Sequence, residues 1–235
     1  MQKHIKMKLK TPQQLIIEEL KTKAVIKHKV FMQMLNIFEK FKDNLQQTAE
    51  EIEKGMKDIK DIDVKCHDRG EFETEIQFAG DLLIFQMHTN VFTFDKSHSM
   101  WKTSYLSEDS LRSYCGLINV YNFLRDSFKF NRDNDSGYLV ARIFINHEMH
   151  YFVEGKRQLG FLYNNFENAV LDDAVMKNII ESTILYSLDF DLLIPPYDQM
   201  KEVTVQKIKE YNAITKFRTG KRLGYEFKAD QDEIQ

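Results

Sequence analysis

Between Gln13 and Lys54 the chain carries no glycine and no proline. Through this stretch apolar residues recur at Ile16, Leu20, Val30, Met34, Phe38, Phe41, Leu45, Ala49, Ile52 and Met56, a spacing near 3.6. Thr11-Pro12 ahead of it supplies an N-cap followed by proline at the first helical position. The segment from Thr11 to about Met56 therefore predicts one long amphipathic helix, reaching ~65 Å. A domain of this size cannot cover such an arm along its whole length, so part of its apolar stripe needs a partner. The stripe weakens at Lys23 and Lys27, which predicts a bend or break between Ala24 and Lys29. The second part, Val30 to Met56, is expected to cover the chain's own sheet. The first, Thr11 to Ala24, is left to meet a second subunit.

After Lys60 the period changes. Glu71 to Phe78 alternates strictly, with Phe72, Thr74, Ile76 and Phe78 on one face and acids on the other. Ala79-Gly80-Asp81 reads as a hairpin turn leading into a longer strand from Leu82 to about Phe94. Leu111 to Leu124 fits helix or strand; Gly116, Ile118 and Val120 favour strand. Asn131 to Gly137 is a loop. Tyr138 to Ile145 and Met149 to Glu154 form a hairpin around Asn146-His147-Glu148, and Leu159 to Tyr163 reads as a further strand. Leu171 to Leu188 reads as a helix, with Asp172 and Asp173 suiting its N-terminus. Val203 to Tyr211 suggests a short helix and Leu223 to Phe227 a last strand. Helices, then hairpin-linked strands, then helices give an α+β fold with an antiparallel sheet of about five to seven strands. The C-terminal helices pack on one face. Residues 1–60 form the helical arm and 61–235 the sheet domain, the two making one structural unit.

Composition narrows the function classes. Hydrophobic residues make up 43%, with 18 Phe and 10 Tyr, enough for a substantial core. A formal net charge of −3 gives no whole-chain attraction to nucleic acid or to an anionic membrane. Cys66 and Cys115 are the two cysteines, too few for a disulfide framework and without a Cys-x-x-Cys pair. No run approaches the length of a membrane-spanning helix. The expected setting is a reducing, cytoplasmic one.

The phosphate-loop, dinucleotide-binding and nucleophile-elbow signatures are absent. Three candidates remain. Glu154-Gly155-Lys156 at a strand end matches the acid-x-Lys arrangement of restriction-type nucleases, in which the carboxylate holds a divalent metal and the lysine steadies the attacking water. Asp133 or Asp135 would supply the upstream acid. The same pattern at Asp58-Ile59-Lys60 and Asp63-Val64-Lys65 shows how freely chance produces it. His147-Glu148-Met149-His150 has the wrong spacing for two ligands on one helix face and reads as turn residues. The third candidate is a row of polar residues inside apolar strands. Gln86, His88 and Asn90 alternate on one strand, Asn119, Tyr121 and Arg125 on the next, and Tyr138, Arg142 and Asn146 on the hairpin. Polar groups at sheet centres either meet solvent or converge on a ligand. Arg142, between Ala141 and Ile143, calls for a carboxylate or phosphate.

The sequence thus points to a non-enzymatic binding or assembly module that works as a homodimer. A small polar or anionic ligand would sit on the sheet against Arg142, Tyr121, His88 and Asn119, with no cofactor and no metal. Two alternatives stay open. One is a metal-dependent nuclease using Glu154, Lys156 and Asp135. The other is a nucleic-acid-binding accessory protein using the basic and aromatic run Lys216 to Arg222.

Overall fold

A computed structural model describes residues 10–59, 61–190, 197–206 and 209. The N-terminal helix starts where its cap signal lies. The Gln14 amide N–H donates to Thr11 Oγ1, and the Thr11 N–H donates to the Gln14 side chain at 3.0 Å. Helix α1 (Pro12–Glu19) passes through a π-helical turn (Leu20–Ala24) into α2 (Val25–Gly55). The backbone stays right-handed helical at Glu19 and at Val25. The expected bend or break is thus a loosened turn a few residues earlier, not an interruption. Within it the Thr22 hydroxyl donates to the Glu18 carbonyl at 2.8 Å. Such back-bonding takes an acceptor from the i→i−4 ladder and favours a bulge.

Six strands follow: β1 (Val64–Asp68), β2 (Glu73–Phe78), β3 (Asp81–Met87), β4 (Cys115–Leu124), β5 (Tyr138–Asn146) and β6 (Tyr151–Gly155). All pairs are antiparallel and each strand lies beside its neighbours in sequence. Short turns make this the direct order for β1–β2, β2–β3 and β5–β6, while the connector 88–114 returns the chain to β3's edge for β4. On one face α2 lays Val30, Met34, Phe38, Phe41 and Leu45 over Ile76, Phe85, Ile118 and Ile143. Helix α6 (Asp173–Leu188), capped by Asp172 accepting from the Val175 N–H at 2.8 Å, adds Met176, Ile179 and Ile180 to the same core. The long helix thus covers its own sheet from Val30 onward, as its stripe predicts.

The other face is covered at one end by the connector 88–114, which includes α3 (Ser104–Glu108). Phe94, Met100, Tyr105 and Leu106 from this connector pack with Leu117, Phe144, Phe152 and Phe166 as a second apolar cluster. At the other end α4 (Arg125–Lys129) follows β4, its Phe128 ring edge-on to Phe123 at 5.2 Å.

Three local expectations are corrected. The strand expected to run to Phe94 ends at Met87, because the chain leaves the sheet to build the connector; Phe92 rejoins it through one bridge to Cys115. Leu159 to Tyr163 is not a strand: Gln158–Leu162 forms the short helix α5. Arg157, with φ 52°, turns the chain there, and Gly160 lies so close to β6 that an added Cβ would stand 2.4 Å from the Gly155 carbonyl oxygen. The β6 edge is instead filled by the segment after α5, since the Val153 N–H donates to the Tyr163 carbonyl at 2.9 Å. Third, Tyr138 does not share a face with Arg142. A bulge between Val120 and Tyr121 places Val140 and Ala141 both in the helix-side core, which turns Tyr138 inward against Phe190 at 5.4 Å. Of the short helix expected at Val203 to Tyr211, residues 203–206 and 209 are described, and Val205, Gln206 and Lys209 among them are helical; the strand at Leu223 to Phe227 and the basic run Lys216 to Arg222 lie wholly outside the described residues.

Candidate functional site

The polar residues picked out on separate strands meet in one row. Glu73 pairs with Gln86, Gln86 with Asn119, Asn119 with Arg142, and Arg142 with Glu154. Side chains of directly opposed residues stand about 5 Å apart, so five strands contribute one continuous polar line across the face away from α2. Beside it runs a second row, Ile84, Tyr121 and Leu139, also in register.

The row ends are charged and paired. Arg142 Nη2 donates to Glu154 Oε2, and His98 Nε2 lies 3.4 Å from the other oxygen of Glu154. His98 Nδ1 accepts from the Met100 N–H, which leaves Nε2 as the nitrogen facing Glu154. At the far end Arg69 lies 3.7 Å from Glu73 and also contacts Glu75. The carboxylate that Arg142 calls for is therefore supplied by the protein itself, which removes the sequence-based reason for an anionic ligand. The interior of the row, Gln86 and Asn119, is uncharged.

The other sequence candidates fall elsewhere. His88 follows β3 and leaves the row; its Nδ1 accepts from the Asn90 N–H and its ring packs edge-on to Phe92. Arg125 turns away to Asp63 at 3.0 Å. Asp135 lies in the loop before β5, where its carboxylate accepts from the Ser127 hydroxyl at 2.6 Å and pairs with Arg132 at 2.7 Å, lining a cavity of about 230 Å³ with Phe123 and Phe128. Glu154 is held at the sheet by Arg142 and His98, whereas Asp135 is held in the loop by Ser127 and Arg132, and the two acids share no partner. A shared divalent ion would need both within about 2.5 Å of itself. Glu154 and Asp135 thus do not form one site, and among the described residues no group of three His, Cys, Asp or Glu side chains is arranged to hold a metal. Lys156 is exposed just beyond the β6 end.

The His147 to His150 turn has a structural role that its spacing does not reveal. Asn146 Nδ2 donates to the Tyr105 hydroxyl at 2.8 Å, and Tyr105 donates to Glu148 at 2.6 Å. Arg112 stacks over the Tyr105 ring and lies 3.1 Å from Glu148. His150 stacks flat on Tyr105 and contacts the Phe166 carbonyl at 2.9 Å. This clip fastens the connector onto the β5–β6 hairpin. Both histidines are half-buried, not the exposed turn residues expected.

The arm forms a second candidate surface. Helix α1 and the π-helical turn contain no buried residue, yet carry Leu15, Ile16, Ile17 and Leu20, with Ile16 60% and Leu20 58% exposed. Val25 and Met32 extend this exposed apolar surface into α2. Glu18 and Lys21 flank Leu20 within one turn, as do Glu19 and Lys23, the latter pair 2.7 Å apart. Among the described residues no helix is long and apolar enough to cross a membrane. No family model, curated protein or solved structure matches this chain.

Proposed function

We propose that this protein is a non-enzymatic assembly module that works as a homodimer joined through its N-terminal arms. The observation that carries the reading is the arm itself: a capped, continuous helix with one π-helical turn, holding five large apolar side chains from Leu15 to Val25 in water. Large apolar side chains held in water on one short helix mark a contact site. Helical residues without tertiary contacts are marginal in water, so a partner on this face also stabilises the arm.

The charges favour a second copy of the same chain, laid antiparallel. In a twofold antiparallel pair crossing at Leu20, each flank meets the same flank of the copy with its direction reversed. Glu18 then faces Lys21 of the copy and Glu19 faces its Lys23, with Leu20 against Leu20. A parallel pair would set the lysine-rich end, Lys21 to Lys29, beside itself. Opposed macrodipoles add to the antiparallel arrangement. The contact is isologous, so it closes at two chains.

Light scattering at tens of micromolar is expected to give a dimer for the full chain and a monomer for Leu20→Glu, with the folded core of the variant intact by circular dichroism. A monomeric wild-type protein under those conditions rejects the reading.

A further inference from the structure

One ring nitrogen near the base of the arm is shut away from solvent and from hydrogen-bond partners alike. The side chain of His147, in the turn between β5 and β6, is 10% exposed. Its Nδ1 is buried, and none of the described residues makes a hydrogen bond to it. Its Nε2 lies 3.9 Å from Glu148 Oε1, too far for a hydrogen bond. An uncharged ring suits this setting: with its one hydrogen on Nε2, it leaves Nδ1 as a bare acceptor. A charged ring does not. It carries a hydrogen on both nitrogens and would press one N–H into closed space with no acceptor.

The charges around the ring do not offset this. Lys29 faces it from α2, Asp109 and Arg112 from the segment before β4, and Glu148 from the turn itself. Both acids are already engaged. Asp109 Oδ1 accepts from the Leu111 N–H at 2.9 Å. Glu148 accepts from the Tyr105 hydroxyl at 2.6 Å and lies 3.1 Å from Arg112. Lys29 and Arg112 would stand against a third cation. Burial, more than any of these charges, holds the ring's proton affinity below that of an ordinary histidine.

The position gives the ring something to control. Among the described residues Val30 is the first buried one, so the arm leaves the core at this level. There α2 is tied to the turn by Gln33, whose side-chain amide donates to the Asn146 carbonyl at 3.2 Å. His147 follows Asn146 directly, and Lys29 lies one helical turn before Gln33.

We propose that His147 is an acid-sensitive latch: uncharged, it lets α2 close on the β5–β6 turn, and on taking a proton in mild acid it opens that joint at the base of the arm. The open joint accepts the proton as an unfolded histidine does, near pH 6.5, and the closed one only at lower pH. Closure is therefore full above about pH 6.5 and weakens as pH falls through it, by up to about tenfold per pH unit. This window lies above the range in which a glutamate titrates. The latch does not depend on arm pairing, so a monomer would show it too.

The test follows the full chain by NMR between about pH 7.5 and pH 5.5, the window set by an ordinary histidine. The His147 ring is expected to take its proton at a lower pH than a histidine in the urea-unfolded chain. Over the same range the hydrogen-exchange protection of the Gln33 and Met34 amides (a ratio to the unfolded rate, so free of the direct effect of pH) should fall by up to about tenfold. Protection at Ile179 and Ile180 in α6 should stay level. His147→Gln, uncharged at every pH, should keep Gln33 and Met34 level as well. A ring that takes its proton at or above the unfolded value overturns the proposal, as does wild-type protection at Gln33 and Met34 that does not change. An equal fall at Ile179 and Ile180 also overturns it, since the whole core would then be opening. So does a His147→Gln chain that keeps the wild-type pH dependence, because another group would be the latch. If that variant does not fold, the ring titration and the wild-type protection still decide.

Discussion

At the residue scale Asn146 makes four side-chain hydrogen bonds among the described residues. Its amide donates to the Tyr105 hydroxyl and the Arg112 carbonyl, and its oxygen accepts from the Glu148 and His150 N–H groups. Asn146→Ala would leave several buried groups unpaired and should cost roughly 2–4 kcal/mol in urea unfolding. Glu148 adds a pH dependence. Burial pushes its carboxyl up, but the Tyr105 hydroxyl and the Arg112 charge outweigh that and hold it below the usual glutamate range. A carboxyl depressed in the folded state stabilises above its unfolded value of about 4.3 and loses that contribution as pH falls below it. Urea midpoints should therefore drop between about pH 5 and pH 3. Glu148→Gln should start lower at neutral pH and fall less over that range; a variant as steep as wild type would show that the titrating group lies elsewhere. None of this network is legible from sequence. Asn146 reads as one more alternating polar residue, and its partner Tyr105 lies 41 positions away, reached because the connector folds back. Arg142 is the opposite case. Its need for a carboxylate is plain between Ala141 and Ile143, but that Glu154 answers it depends on the register of the hairpin.

At the element scale, periodicity located most of the helices and strands, and failed where one residue changes the count. The bulge at Val120/Tyr121 sets Val140 and Ala141 on the same side and moves Tyr138 off the row to which strict alternation assigns it. The α5 segment is apolar enough to pass for a strand; what decides it is the close approach of Gly160 to Gly155, a tertiary fact. Two glycines test this packing in opposite directions. Gly160→Ala would drive a methyl into a backbone carbonyl that cannot give way, and should cost about 1–3 kcal/mol. Gly55→Ala, at the last residue of α2 with nothing within 4 Å of the new methyl, should instead gain about 0.4–1 kcal/mol by narrowing the unfolded ensemble. Equal effects at the two sites, measured by thermal unfolding, would contradict the contact geometry at α5.

At the scale of the whole molecule, the architecture of long helix, six antiparallel strands and a helix on the same face was legible because sequential strands pair with their neighbours and the 3.6-residue stripe fixes the covering face. The covering of the outer face was not, since Asp95 to Glu108 reads as a polar loop and its buried members, Met100, Tyr105 and Leu106, are too scattered to show a period. A dimer held by the arms makes a further prediction. Its melting temperature should rise with protein concentration, because association draws on the folded state alone. Leu20→Glu should melt at one temperature at every concentration, and a wild-type protein that did the same would argue against arm pairing.

The π-helical turn gives the arm a mechanical property. The helix from Pro12 to Ala24 is a lever about 20 Å long with its fulcrum at the turn where the ladder is loosened. A change of about 10° at that fulcrum carries the tip through roughly 3 Å, close to one hydrogen-bond length, while the sheet stays still. Arms paired as proposed would find register by small adjustments at Thr22 without strain reaching the sheet.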